Sequence, residues 1–194
     1  EKILNLNDCE VNTPSRVSEI KSIVGEVDVL LTQFSFAAWK GGKKNTKWRK
    51  LAASEKLKTI KLQTENFKPN YIIPFASFIY FSNYENSYLN DAANKPLDVQ
   101  EVLKNTSVEV IIMKPNDILG GEFENISINS AINFWNEKYQ SIYQKKLNSF
   151  KSVSIEELFS NFRIYCNRIS KKNNLWLMKV LKIISPIPIL RPVI

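Results

Sequence analysis

Lys2-Ile3-Leu4-Asn5-Leu6-Asn7, then Thr13-Pro14-Ser15 running to Val24-Gly25, then Val27-Asp28-Val29-Leu30-Leu31-Thr32 decide the fold. The outer segments alternate apolar residues in short runs rich in Val, Ile and Leu, the pattern of strands in a sheet covered by helices. The middle segment carries its own start and stop. Thr13 is placed to cap a helix, Pro14 is pre-set for the first helical position, and Gly25 is free to take a closing conformation that other residues avoid. Val17, Ile20, Ile23 and Val24 fall on one face. Strand, helix, strand is a βαβ unit, and the pattern continues outward with a long basic helix from about Asn45 to Glu65 and a strand near Asn70–Pro74. A helix from Leu97 to Lys104 and a strand from Val108 to Met113 follow, so the alternation predicts an α/β fold.

The last third changes character. Ser130–Leu147 spaces Ile132, Trp135, Tyr139 and Ile142 as a helix does, and Ser154-Ile155-Glu156-Glu157 reads as a capping box opening a helix with Leu158, Phe162, Tyr165 and Ile169 on one side. Asn174–Ile184 reads as a third helix, stopped by Ser185-Pro186, with Ile187–Leu190 extended. The first residue is Glu1, a strand begins by residue 2, and the final residues are apolar, which predicts a chain cut at both edges from a larger protein. A chain of 194 residues has room for one domain and an appendage, divided here as 1–125 and a helical extension at 126–194. No run of about eighteen uncharged apolar residues occurs, so no transmembrane span is expected. Cys9 and Cys166, without a signal-peptide pattern, predict free thiols and a cytoplasmic setting.

The chemistry is bounded by what is missing. The sequence has no histidine, which excludes a Ser-His-Asp or Cys-His machine and a histidine-ligated zinc site built from this chain alone. Gly25, Gly41, Gly42, Gly120 and Gly121 are the only glycines, and their spacing makes neither a phosphate-cradling Walker loop nor a dinucleotide fingerprint. Oxygen chemistry remains. Asp8 ends the first strand, where α/β sheets place functional groups; it reads either as a ligand or as a residue that closes the strand and caps the next loop. A second edge is Pro74-Phe75-Ala76-Ser77-Phe78-Ile79-Tyr80-Phe81, an aromatic wall that breaks into Ser82-Asn83-Tyr84-Glu85-Asn86-Ser87-Tyr88-Leu89-Asn90-Asp91. A recognition pocket often has such a wall; the plainer reading is a helix over Tyr84–Asp91 with Tyr84, Tyr88 and Ala92 on one face. Asp117–Glu122 reads as a turn.

Ile3–Cys9, Val27–Trp39 and Pro74–Asp91 together resemble the later half of metallo-β-lactamase-fold proteins, in the branch similar to CMP-N-acetylneuraminate hydroxylase and the sugar-phosphate lactonases. The resemblance covers roughly residues 1 to 120. It implies half of an αββα sandwich, with Asp8 in the place of an aspartate that bridges two metal ions and the histidine-rich motif upstream of Glu1. It implies a divalent zinc, manganese or iron ion in the intact protein and none held by this chain alone. By the same analogy Gln33, Ser35 and Trp39 line the cleft, Lys43 and Lys44 belong to a basic loop suited to an anionic metabolite, and Asn83, Glu85, Asn86 and Asn90 contact substrate. The sequence departs from the family at Pro74-Phe75-Ala76, where lactonase-like relatives carry a ligating histidine.

The expected function is therefore the C-terminal fragment of a metal-dependent hydrolase-like protein for a phosphorylated or nucleotide-linked metabolite, inactive without its N-terminal half. The alternative is a noncatalytic module for nucleic acid or an acidic surface. Residues 40–61 hold Lys40, Lys43, Lys44, Lys47, Arg49, Lys50, Lys56, Lys58 and Lys61 against Glu55, matching the whole net charge of +8, and such a patch attracts polyanions unless it is simply a solvated helix face. A receiver-like domain using Asp8 is disfavoured by the lack of an acidic partner for that residue. Leu175–Leu181, with Lys179 and Lys182, reads as a helix for a membrane interface or, since its apolar positions surround most of the helix, for a neighbouring domain.

Overall fold

The computed structural model describes residues 1–120 and 127–184, in two units, Glu1–Ser149 and Phe150–Ile194. The first unit is α/β. Strands β1 (Ile3–Asn5), β2 (Val29–Thr32), β3 (Tyr71–Pro74) and β4 (Glu109–Val110) form one parallel sheet in the order β1-β2-β3-β4. The register pairs Ile3 with Val29, Val29 with Tyr71, and Tyr71 with Glu109. Helices α1 (Pro14–Val24), α2 (Thr46–Phe67) and α3 (Pro96–Leu103) supply the crossovers that parallel strands need.

Local chemistry sets these boundaries much as expected. The Thr13 hydroxyl accepts the Arg16 N–H at 3.3 Å, and Gly25, at φ 72°, donates its N–H to the Lys21 carbonyl at 2.7 Å. Successive strand residues point to opposite faces. Leu30, Ile72 and Val110 therefore join Val17 of α1, Ile60 and Phe67 of α2, and Val99 and Leu103 of α3 in the main core. Val29, Ile73 and Ile111 turn the other way and pack with Leu31, Tyr71, Met113 and Leu119. The described helices of this unit thus cover one face of the sheet, and the opposite face is apolar without a described helix on it.

Helix α4 (Ile128–Tyr143) belongs to this unit, so the division at residue 125 gives way to one after Ser149. Ala131 is fully buried in the main core, Trp135 stacks on Phe78 at 4.0 Å between ring centroids, and the Trp135 indole N–H donates to the Met113 carbonyl at 2.8 Å. The helix expected over Tyr84–Asp91 shrinks to a 3-10 turn at Ser87–Ala92. Its first residues instead pair with the chain after α4: the Tyr84 N–H donates to the Asn148 carbonyl and the Asn148 N–H to the Ser82 carbonyl, both at 2.8 Å. The turn after β4 is closed by Asp117, which accepts the Lys114 backbone N–H at 2.9 Å; Gly121 and Glu122 lie outside the described residues, as does the extended segment expected at 187–190.

The second unit contains α5 (Ile155–Lys172) and α6 (Leu175–Ile184). The Ser154 hydroxyl accepts the Glu157 N–H at 3.1 Å, the cap read in the sequence. No described helix is long and apolar enough to cross a membrane.

One residue of the basic run is not on the surface. Arg49, 1% exposed, turns into the protein. Its Nε and an Nη reach the two oxygens of Asp91 at 2.7 Å each, and its Nη groups also donate to the Gly42 carbonyl at 2.7 Å, the Lys43 carbonyl at 3.1 Å and the Thr46 hydroxyl at 3.0 Å. The guanidinium holds the Asp91 carboxyl below the usual carboxylate range, opposed by partial desolvation. A depressed folded-state pKa stabilises the fold above the unfolded value of about 3.9, and that contribution disappears as pH falls through the folded value. Asp91→Asn should lower stability by about 3 kcal/mol at neutral pH, because it leaves a buried guanidinium without its counter-charge. Urea denaturation as a function of pH should show that the loss shrinks below about pH 4; a pH-independent loss would contradict the pairing.

Candidate functional site

The carboxyl ends of β1 and β2 meet over a cleft of about 390 Å³. Beyond β1 the chain turns sharply, with the Cys9 N–H donating to the Leu6 carbonyl at 3.2 Å and Asp8 at φ 57°. Asp and Asn tolerate that left-handed backbone better than most residues, so part of the reason for an aspartate here is the turn itself. Gln33, immediately after β2, holds the turn. Its side-chain amide donates to Asn7 Oδ1 at 3.0 Å and to Asp8 Oδ1 at 2.9 Å, while its Oε1 accepts from Lys56 Nζ at 3.2 Å. Asp8 Oδ2 accepts from the Asn7 amide at 3.2 Å. Both oxygens are thus oriented by neutral donors, and a carboxylate with about four lone-pair sites keeps acceptor capacity towards the cleft.

The rim is charged. Lys40 and Lys56 line the cleft with Asp8, Glu10 and Glu55, and Gln63 and Thr32 form its floor. Gln63 is buried, accepting the Thr32 hydroxyl at 2.8 Å and donating to the Val11 carbonyl at 2.8 Å. Lys56 reaches the cleft because it lies on the inner face of α2 with Arg49, Ala52, Ala53, Ile60 and Gln63, a spacing visible in the sequence.

The other expected site residues separate into groups. Ser35 is buried and structural: its hydroxyl accepts the Asn94 backbone N–H at 3.0 Å, while the Asn94 amide bridges the Phe34 and Ala53 carbonyls at 2.7 and 2.8 Å. Trp39 is exposed and meets Trp48 edge-on at 5.6 Å. Gly41, at φ 80°, makes that approach feasible, since a Cβ there would fall 2.6 Å from Asn45 Cβ and 2.7 Å from Trp48 Cε3. Lys44 is exposed, and Lys43 extends over the Tyr84 ring at 5.4 Å. Asn90 clamps Phe81, accepting its N–H and donating to its carbonyl at 2.9 Å each. Asn83 bridges to Asn148, Glu85 is exposed, and Asn86 Oδ1 is buried without a hydrogen-bond partner. None of Asn83, Glu85, Asn86 or Asn90 lines the cleft of Asp8. The structure therefore brings together Asp8 and Gln33, and places the amide cluster elsewhere.

Asp8 has the chemistry of one metal ligand. Among the described residues no three Asp, Glu or Cys side chains converge to hold an ion, the number that catalytic zinc takes from protein. No family model, curated protein or solved structure matches the chain.

Gln33→Leu should release the Asn7–Asp8 turn while leaving the sheet intact. Amide exchange at residues 7–9 should accelerate about tenfold, the equivalent of roughly 1 kcal/mol of hydrogen bonding. Unchanged exchange would show that the Gln33 amide does not restrain the carboxylate.

Proposed function

We propose that this chain is the C-terminal half of a metallo-β-lactamase-fold, metal-dependent hydrolase-like protein acting on a phosphorylated or nucleotide-linked metabolite, and that it has no activity alone. The observation that carries the reading is the one-sided layering: helices α1–α4 pack on one face of the sheet, and the opposite face is lined by Val29, Ile73 and Ile111, buried with Leu31, Tyr71, Met113 and Leu119 and with no described helix over them. In an αββα sandwich each sheet has helices outside and an apolar face inward against the second sheet. Doubly wound folds instead place helices on both faces. Support for the site comes from Asp8, held at the end of β1 by Gln33, with Lys40 and Lys56 nearby to neutralise an anionic substrate. The imidazoles of such a centre must come from a histidine-bearing segment, because this sequence has none.

Two measurements test it. The isolated chain with zinc or manganese should not hydrolyse sugar phosphates or nucleotide-linked sugars, and turnover in the ordinary range of about 1 s⁻¹ or more would overturn the claim of inactivity. The native protein carrying this sequence should contain zinc, manganese or iron by plasma mass spectrometry, and Asp8→Asn should weaken metal retention about tenfold or more. A metal-free native protein, or one indifferent to the substitution, would overturn the assignment of Asp8.

A second reading rests on Lys44, Lys47 and Lys50, exposed beside the exposed indoles of Trp39 and Trp48. Cations interleaved with aromatic faces suit single-stranded nucleic acid. A salt titration decides it: affinity for a single-stranded oligonucleotide should fall steeply as salt rises, and no binding at low salt removes this reading.

A further inference from the structure

Helix α5 forms on local signals alone. Ser154 caps its start, Glu156 and Glu157 occupy the first turn, and Lys171 and Lys172 occupy the last, each sign matching the helix dipole. With about 100° per residue, Ile155, Leu158, Phe159, Phe162, Tyr165 and Ile169 fall in one stripe about 120° wide. These side chains do not form a core. Ile155, Leu158, Phe159, Phe162 and Tyr165 are each 58–66% exposed, and the first four line a shallow apolar groove along the helix. The flanks of the stripe are basic: Arg163 borders it on one side, Arg168 and Lys172 on the other, while both glutamates sit further round. Ile164 alone departs from the pattern, on the polar face.

Helix α6 is more apolar. Trp176, Leu177, Leu181, Ile183 and Ile184 are exposed, and Lys179 and Lys182 lie within about 60° of each other round the helix, with apolar positions over most of the remainder. Between Phe150 and Ile184 seven lysines and arginines face two glutamates. The described part of α6 is about 15 Å long at 1.5 Å per residue, half of a bilayer's hydrocarbon thickness, and α5 is long enough but too polar on its far face to cross a membrane.

We propose that α5 and α6 form a membrane-surface module that docks on anionic lipid. Aromatic and aliphatic side chains would enter the acyl boundary, and the flanking cations would sit at the phosphate level with their stems along the apolar edge. Charge complementarity selects this occupant: a stripe meant for another protein's core does not need cations on both borders. The inference is independent of the hydrolase reading, since it uses no residue of the Asp8 cleft.

The test is co-sedimentation of the full chain with vesicles of phosphatidylcholine containing 30% phosphatidylserine, against pure phosphatidylcholine. The chain should bind the anionic vesicles at least about tenfold more strongly, with the advantage shrinking as salt is raised from 0.1 to 0.5 M. Phe159→Ser with Phe162→Ser should reduce binding about tenfold or more, and Arg168→Glu with Lys172→Glu should remove the preference for anionic lipid. All four positions are exposed, so circular dichroism should be unchanged. Equal binding to both vesicle types, binding unaffected by the serine pair, or a stable homodimer in light scattering that the serine pair disrupts would each overturn the proposal.

Discussion

The guanidinium of Arg49 is the constraint on which the shape of the site end depends. A charge that is 1% exposed has lost nearly all hydration, and its position is tolerable only where carboxylate and carbonyl oxygens replace the water. Those oxygens come from three stretches of the chain: Gly42 and Lys43 in the loop, Thr46 in the first turn of α2, and Asp91 in the 3-10 turn. Satisfying one side chain therefore fixes the entry to the longest helix and anchors the loop that carries Trp39 and Lys40. Replacing such a pair by apolar residues costs little in many proteins. What the pair contributes here is geometry, because an apolar plug would not pin two backbone carbonyls.

With the loop anchored, the sheet determines the rest. Parallel strands in sequential order place all their carboxyl ends on one edge, and Asp8 and Gln33 occupy neighbouring positions there. Lys56 is brought in by the inner face of α2, so a cation, an amide and a carboxylate form a continuous hydrogen-bonded chain. The cleft is polar, shallow and mixed in charge.

Much of the fold was legible because it is written locally. The Thr13 cap, Pro14, Gly25 and the two flanking apolar runs gave β1-α1-β2, and Ser154 gave the start of α5. Asp8 was placed at a strand end by the apolar pattern before it, whereas its hydrogen bond from Gln33, 25 residues on, left no local mark in the sequence. Arg49 was not legible: among nearly identical cations on one helix, nothing local marks the one that turns inward, and its partner Asp91 is 42 residues away. Its spacing with Ala52, Ala53, Lys56 and Ile60 on the inner face was the available signal. Asn94 and Ser35 were equally hidden, since an asparagine that satisfies two buried carbonyls looks the same in sequence as one on the surface. The contacts of the amide cluster at 83–90 were hidden for a related reason, as Asn90 serves the Phe81 backbone and Asn83 the chain at Asn148, away from the Asp8 cleft. The place of α4 depended on Trp135 finding Phe78 and Met113, contacts between segments too distant for periodicity to reveal.

The most direct measurement of this account is a double-mutant cycle on Arg49→Met and Asp91→Asn, read by urea denaturation at neutral pH. If the pair organises the site end, each single variant should lose several kcal/mol and the double variant should recover part of the loss, giving a coupling energy of about 2 kcal/mol or more. Additive losses, with a coupling indistinguishable from zero, would mean that the guanidinium and the carboxylate stabilise the fold separately and that the interaction does not hold the loop.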